Sequence, residues 1–106
     1  MNMEDLEILE NLRLQIDNCD NEIMLLLKRR MQTAKKIAEA KQKLNMEIFQ
    51  PEREEILIKT RVSKGKEYLF SENFTKKLFQ VIMDESKREQ EKLIEKQETK
   101  AKNTKK

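Results

Sequence analysis

One stretch decides the fold: residues 6–44 read LEILENLRLQIDNCDNEIMLLLKRRMQTAKKIAEAKQKL, without Gly or Pro. Apolar or small residues recur there at multiples of seven, in one row of Leu9, Ile16, Ile23, Ile37 and Leu44, a second of Leu12, Cys19, Leu26, Thr33 and Ala40, and a third begun by Leu6, Leu27 and Ala34. These rows form an apolar stripe about three-sevenths of a helix wide. They predict one long helix over residues 4–45.

Four charged residues interrupt this stripe. Arg30 occupies a first-row position where an Ile would fit, and Arg13, Asp20 and Lys41 stand in the third row. A charge on a buried helix face is costly unless it is paired. We therefore look for function at these positions.

The predicted helix is too long for a compact monomer. Forty residues at about 1.5 Å each span roughly 60 Å, whereas a compact domain of this size has a radius of gyration of about 13 Å. We expect a second copy of the chain to cover the apolar stripe, which makes the protein a homodimer.

The composition favours a single all-α domain. Charged residues make up 41% of the 106 residues, with one Gly and one Pro, as expected for long helices. No apolar run is long enough to span a membrane. The acidic residues 1–10 do not resemble a signal peptide, which predicts a cytoplasmic protein. The sequence has no His and one Cys, and that Cys is expected to be buried on the stripe. A zinc or iron site is therefore not expected.

The basic charge is concentrated at the C-terminus. Residues 91–106 hold six Lys and three Glu, a surplus that equals the net charge of +3 of the whole chain. The remainder is neutral, which argues against nucleic-acid binding. Residues 98–106 lack apolar periodicity and are predicted to be a disordered tail after a domain of residues 1–97.

The only Pro and the only Gly divide the rest of the chain. Residues 46–50 connect the first helix to a second, which Pro51 opens because its missing N–H would be unpaired there. Gly65 is predicted to stop that helix near Lys64. Ser71 is the predicted N-cap of a third helix.

The charged residues of the first helix form two geometric groups. Arg30 and Lys41, eleven residues apart, share a helix face with roughly 16 Å between their Cα atoms, which leaves room for a small anion. Arg13 lies about 25 Å before Arg30 on a face rotated by roughly 100°. One straight helix cannot bring Arg13 to the same small ligand, but a partner's helix can.

The other two helices add polar residues. Arg53 and Glu54 stand at the start of the second helix, and Ser86 and Gln90 interrupt the apolar face of the third, one turn apart. Taken singly, the charged residues of the first helix are ordinary interface charges. Arg53 and Glu54 are a solvated pair, and Ser86 and Gln90 are polar residues of a bundle core. Together they form a binding cage for a polyanion with a hydroxyl group, in which a reaction would depend on electrostatics and shape.

Four motifs follow one another in the chain: Leu12-Arg13-x-x-Ile16-Asp17-x-x-Asp20-x-x-Ile23-x-x-Leu26-Leu27-x-x-Arg30, Ala40-Lys41, Pro51-x-Arg53-Glu54 and Ser86-x-x-x-Gln90. In this order and spacing they resemble the all-helical (AroQ-type) chorismate mutases in their stand-alone, monofunctional form. The resemblance implies an intertwined homodimer of three-helix chains with two equivalent sites. It also implies conversion of chorismate to prephenate, toward phenylalanine and tyrosine, without a metal or other cofactor.

The resemblance also implies roles for individual residues. Arg30 and the partner chain's Arg13 would grip the two substrate carboxylates, aided by Ser86. Lys41 and Gln90 would donate to the ether oxygen. At the other end of the substrate, Glu54 would accept a hydrogen bond from the ring hydroxyl, and Arg53 would help shape the pocket. Gln50, a further site residue, stands where many family members have Asp.

Three alternatives stay open at this point. An isochorismate pyruvate-lyase on the same fold is the nearest, although the full set of polar residues favours the mutase. A non-catalytic helical interaction module explains the long helix but not the polar residues on three helices. A nucleic-acid-binding bundle is disfavoured by the neutral body. Docking to a larger pathway enzyme is compatible with any of the readings.

Overall fold

The computed structural model describes residues 2–104 and consists there of three helices without a strand. They are α1 (Met3–Lys43), α2 (Pro51–Glu67) and α3 (Glu72–Thr104). The predicted all-α class is confirmed. Within these described residues, no helix is long and apolar enough to cross a membrane.

The chain divides into two compact units, Met1–Arg30 and Met31–Lys106. In the first unit the apolar stripe is exposed along α1, with Leu12, Ile16 and Ile23 each more than half accessible to solvent. Cys19 is exposed as well, so the expectation that it is buried is wrong for the single chain. Seven-residue spacing places residues on one face, but only a packed neighbour buries that face.

The second unit contains the packed core, in which α2 lies against α3. Ala34 and Ala38, one turn apart near the end of α1, are buried, as are Leu57 and Val62 of α2 and Met83 of α3. The end of α1 is also linked to α3 by an ion pair between Lys35 and Glu89, with 3.6 Å between Nζ and Oε2. All three helices thus contribute to this unit, which contains most of the predicted site residues.

Both predicted helix starts are confirmed. Pro51 is the first residue of α2, where its fixed φ suits the first turn. The Phe74 N–H donates to Ser71 Oγ at 3.1 Å, which is the hydrogen bond of an N-cap. These two residues fix where the second and third helices begin.

The prediction that Gly65 ends the second helix is wrong. Helix α2 continues to Glu67 with Gly65 buried inside it, and the left-handed residue that follows is Leu69, with a φ of 65°. A Cβ atom on Gly65 would lie 2.6 Å from Thr75 Oγ1. The glycine therefore permits a close approach of α2 to α3 rather than a helix stop.

The C-terminal segment also differs from expectation. Helix α3 extends to Thr104, so residues 98–104 are helical where disorder was predicted, while residues 105–106 lie outside the described residues. The segment contains no Gly or Pro, and four of its seven residues are Lys, Glu or Ala, which favour helix even without burial. The division of the chain after residue 97 remains a prediction.

Replacing Gly65 by Ala should destabilise the protein. Helix propensity alone favours Ala by about 1 kcal/mol, but overpacking against buried Thr75 should outweigh this and leave a net loss of about 1–2 kcal/mol. Urea unfolding at one fixed chain concentration measures the difference, with exposed Ser63→Ala in the same helix as the control. The loss should shrink in a Thr75→Ala background; a Gly65→Ala protein as stable as the parent would contradict the close approach.

Candidate active site

The ammonium of Lys41 is held between two elements of the second unit. The half-buried side chain donates to the Ile48 carbonyl oxygen, 2.6 Å from Nζ, and to Gln90 Oε1, at 3.1 Å. Lysine has three N–H donors. Within residues 2–104 two of them are directed to the protein's own oxygens, so the third can serve a ligand.

Partial burial changes the titration of Lys41. Desolvation lowers the pKa of its ammonium below the usual value of 10.5, and the negative charge of Glu54 opposes that effect. Burial disfavours a charged ammonium, whereas a nearby carboxylate favours it. Lys41 and Glu54 are therefore electrostatically linked, although they come from different helices.

Ser86 and Gln90 are both buried on α3, with 7% and 6% of their surface exposed. The Ser86 hydroxyl donates to the Ile82 carbonyl oxygen at 3.0 Å and lies 3.7 Å from Met31 Sδ. Because Gln90 presents Oε1 to Lys41, its Nε2 amide is the end that can donate elsewhere. The predicted pair thus places a hydroxyl and an amide one turn apart in the packed unit.

Glu54, at the start of α2, pairs with a residue that sequence reasoning missed. Lys87 Nζ lies 3.2 Å from Glu54 Oε2 and 3.3 Å from Oε1. Lys87 is flanked in the sequence by further charged residues such as Arg88 and Glu89. Its position directly after Ser86 was the only available signal, and charge pattern alone could not distinguish it from its neighbours.

Gln50 and Arg53 are less integrated into this cluster. Gln50 Nε2 donates to the Glu47 carbonyl oxygen at 2.7 Å, so this side chain braces the connection before α2. Arg53 is exposed. The structure therefore brings Lys41, Gln90 and Glu54 together, while these two residues lie along the start of α2.

The remaining predicted residues belong to the first unit. Arg13 is exposed and forms an ion pair with Glu10, with 3.3 Å between Nη1 and Oε1. Arg30, the last residue of that unit, is half-buried. Asp20 is exposed. In one chain, Arg13 thus makes a local contact within a single helix.

The arrangement in the second unit suits the stabilisation of negative charge. It combines an ammonium with an unused N–H, an amide donor and a carboxylate that can accept a hydrogen bond. Fixed donors of this kind stabilise an oxygen that becomes negative during a reaction. Among residues 2–104, no three His, Cys, Asp or Glu side chains are grouped as a metal site requires.

In a comparison with known protein families, residues 12–91 match the model of chorismate mutase type II. A chorismate mutase of Methanocaldococcus jannaschii is 36% identical over 100 residues, which cover 94% of this chain and 99% of that protein.

Two longer proteins are similar over part of their length. A bifunctional chorismate mutase/prephenate dehydratase of Buchnera aphidicola is 39% identical over 84 residues, 79% of this chain and 22% of that protein. One of Aquifex aeolicus is 42% identical over 62 residues, 58% of this chain and 17% of that protein. The chain therefore spans about a fifth of the length of these bifunctional relatives.

Lys41 should titrate below 10.5 in the folded protein because its ammonium is desolvated. Removing the opposing charge by Glu54→Gln should lower its pKa further, whereas Glu55→Gln, at an exposed neighbour, should leave it unchanged. NMR of lysine labelled with ¹³C at Cε, with the signal assigned by Lys41→Arg, measures these values.

The lowered pKa of Lys41 also makes the stability of the folded chain depend on pH. Between the lowered pKa and 10.5, the folded chain binds fewer protons at Lys41 than the unfolded chain, so this group's contribution to the free energy of unfolding rises with pH. A Lys41 signal that titrates at or above the ordinary lysine value would contradict the desolvated contact.

Proposed function

Because the chain belongs to the type II chorismate mutase family, we propose that it rearranges chorismate to prephenate, the branch step toward phenylalanine and tyrosine. In this unimolecular reaction a carbon–oxygen bond breaks as a carbon–carbon bond forms, and no group is transferred to the protein. A cytoplasmic location is part of the proposal.

The observation that carries the proposal is the hydrogen bond of Lys41 to Gln90. It joins residues 49 positions apart on two helices at 3.1 Å, and it leaves a donor on each partner. The ether oxygen of chorismate gains negative charge as its bond to carbon breaks. We assign the third N–H of Lys41 and the Nε2 amide of Gln90 to that oxygen.

Such donors accelerate the reaction because their bonds strengthen as charge develops. Interactions that are stronger in the transition state than in the ground state lower the barrier. The Ile48 carbonyl and Gln90 already hold Lys41 in place, so little reorganisation is needed when the charge appears.

Arginine side chains are assigned to the substrate carboxylates. Arg30 would bind one carboxylate and the Arg13 side chain of a second copy the other, since a guanidinium fits a carboxylate with two parallel hydrogen bonds. Ser86 would assist by turning its one O–H from the Ile82 carbonyl oxygen to the carboxylate. Holding both carboxylates selects the folded conformer in which the two reacting carbons are close.

The hydroxyl end of the substrate is assigned to the start of α2. Glu54 would accept the hydrogen bond of the ring hydroxyl, and Arg53 would shape that end of the pocket. Gln50 would contribute its backbone N–H, because its side chain is bonded to the Glu47 carbonyl.

A homodimer is part of the proposal. Leu12, Ile16, Ile23 and Leu26 are each more than half exposed in the first unit, and an apolar face of this length favours association. A second copy packed along α1 would cover it and supply Arg13 to the neighbouring site. Stability and activity would then depend on the same contact.

A substrate assay with product identification tests the activity. Purified protein should consume chorismate and release prephenate, while isochorismate, the substrate of the pyruvate-lyase on this fold, should remain unchanged. Release of pyruvate from isochorismate, or failure to consume chorismate, would overturn the proposal.

Lys41→Ala should lower kcat/KM by about a hundredfold or more, because it removes a donor to the charge of the transition state. Exposed Lys36→Ala in the same helix should keep kcat/KM within about twofold, the size of ordinary surface effects. Circular dichroism verifies that both variants are folded. A Lys41→Ala enzyme within tenfold of wild type would remove Lys41 from the site.

Mixed dimers test whether Arg13 acts across the dimer. Arg13→Ala and Arg30→Ala homodimers should both be nearly inactive. In a heterodimer both changes fall in one site and the other is intact, by the symmetry of a two-fold pair. Unfolding and refolding equal amounts together gives half heterodimers, so activity should recover to about a quarter of wild type. No recovery, with heterodimers confirmed by mass, would contradict the shared site.

A further inference from the structure

Lys87 has an unusual set of neighbours for a lysine on a helix surface. Its Nζ lies within 3.3 Å of both oxygens of Glu54 and 3.5 Å from Asp84 Oδ1. It also lies 4.7 Å from the centroid of the Phe49 ring. Lys87 therefore connects α3 with the start of α2 and with the connection that precedes it.

The Lys87–Glu54 pair differs from the pairs formed within single helices. Its side chains are only 25% and 20% exposed, whereas Lys76 and Glu72, an i,i+4 pair of α3, are 53% and 52% exposed. Exposed pairs contribute little, and removing one partner of a more buried pair leaves an uncompensated charge. The contact is thus more than an incidental surface pair.

Glu54 has two cations near it in the second unit. Lys87 contacts its carboxylate directly, and Glu54 also acts electrostatically on Lys41. A lone carboxylate at this place would repel a dianionic substrate, since unit charges a few ångströms apart interact strongly where water is partly excluded. A cation paired with Glu54 offsets that repulsion.

We propose that Lys87 is a positioning residue that orients the Glu54 carboxylate toward the substrate hydroxyl and neutralises its charge, so that the site accepts a dianion. This inference rests on the proposed function. Lys87 acts through Glu54 rather than on the reacting atoms. The effect applies equally to the bound substrate and to the transition state, because both carry the same two carboxylates.

Such a uniform effect changes KM rather than kcat. Lys87→Met, which keeps an apolar stem against Phe49, should raise the KM for chorismate about tenfold while kcat stays within about threefold. Lys87→Arg keeps the charge and should restore most of the wild-type KM. Lys76→Met, which breaks an exposed pair of the same helix, should leave both constants unchanged.

A double-mutant cycle tests the route through Glu54. In a Glu54→Gln background Lys87 keeps only its pair with Asp84, whose side chain is 55% exposed, so adding Lys87→Met should change KM by less than about twofold. Equal KM changes in both backgrounds would show that Lys87 acts independently of Glu54 and would overturn the inference. If the Met variant does not fold, Lys87→Gln serves with the same expectations.

The wild-type assay separates this inference from the proposed function. A wild-type protein that does not convert chorismate contradicts the function itself. An active wild type whose KM is unchanged by Lys87→Met contradicts only the role of Lys87. A fall in kcat without a rise in KM would also overturn it, because that pattern indicates a contact made only in the transition state.

Discussion

The position of the Lys41 ammonium is the constraint on which the candidate site depends. The cation is half-buried and desolvated, and it is compensated by the Ile48 carbonyl, the Gln90 amide oxygen and, at longer range, Glu54. Each compensating group lies on a different segment: the connection after α1, then α3, then α2. Satisfying one half-buried charge therefore requires the three segments to adopt one arrangement, and that arrangement assembles the site.

The close packing of the same unit depends on small residues as well as on polar contacts. Ala38 is fully buried, and Gly65 lies where a Cβ would meet Thr75 Oγ1 at 2.6 Å. Such positions let helix backbones approach closely, which brings polar groups from different helices within hydrogen-bonding distance. Among the residues whose burial is described, the buried apolar side chains are Ala34, Ala38, Leu57, Val62 and Met83. With so small a core, the polar contacts of Lys41, Glu54 and Gln90 share in defining how the helices pack.

The sequence predicted those parts of the fold that depend on local chemistry. The seven-residue rows predicted α1, Pro51 the start of α2, and Ser71 the N-cap of α3, because each signal acts within a few residues. The prediction for Gly65 is wrong because a glycine is needed there for the close approach of Thr75, which lies on another helix. Residues 98–104 are helical although they lack apolar periodicity, because the Lys, Glu and Ala residues among them favour helix by propensity. For the site, periodicity identified Lys41, Ser86 and Gln90 as polar interruptions. The link between Lys41 and Gln90 came from the family resemblance, and the link between Lys87 and Glu54 required coordinates, since no spacing relates residues on separate helices.

The charges of the site also explain why a carboxylate can stand beside an anionic ligand. In the proposed complex, Arg30, the Arg13 side chain of a second copy and Lys41 face a dianion, and Glu54 alone would reduce the attraction. Its pairing with Lys87 confines that negative charge to the hydroxyl end, where an acceptor is needed, and limits its effect at the carboxylates. Glu54 also favours the charged form of Lys41, so its negative charge serves the site although it repels the dianion. In the proposed role, Lys87 offsets that repulsion and leaves the carboxylate in place as the acceptor.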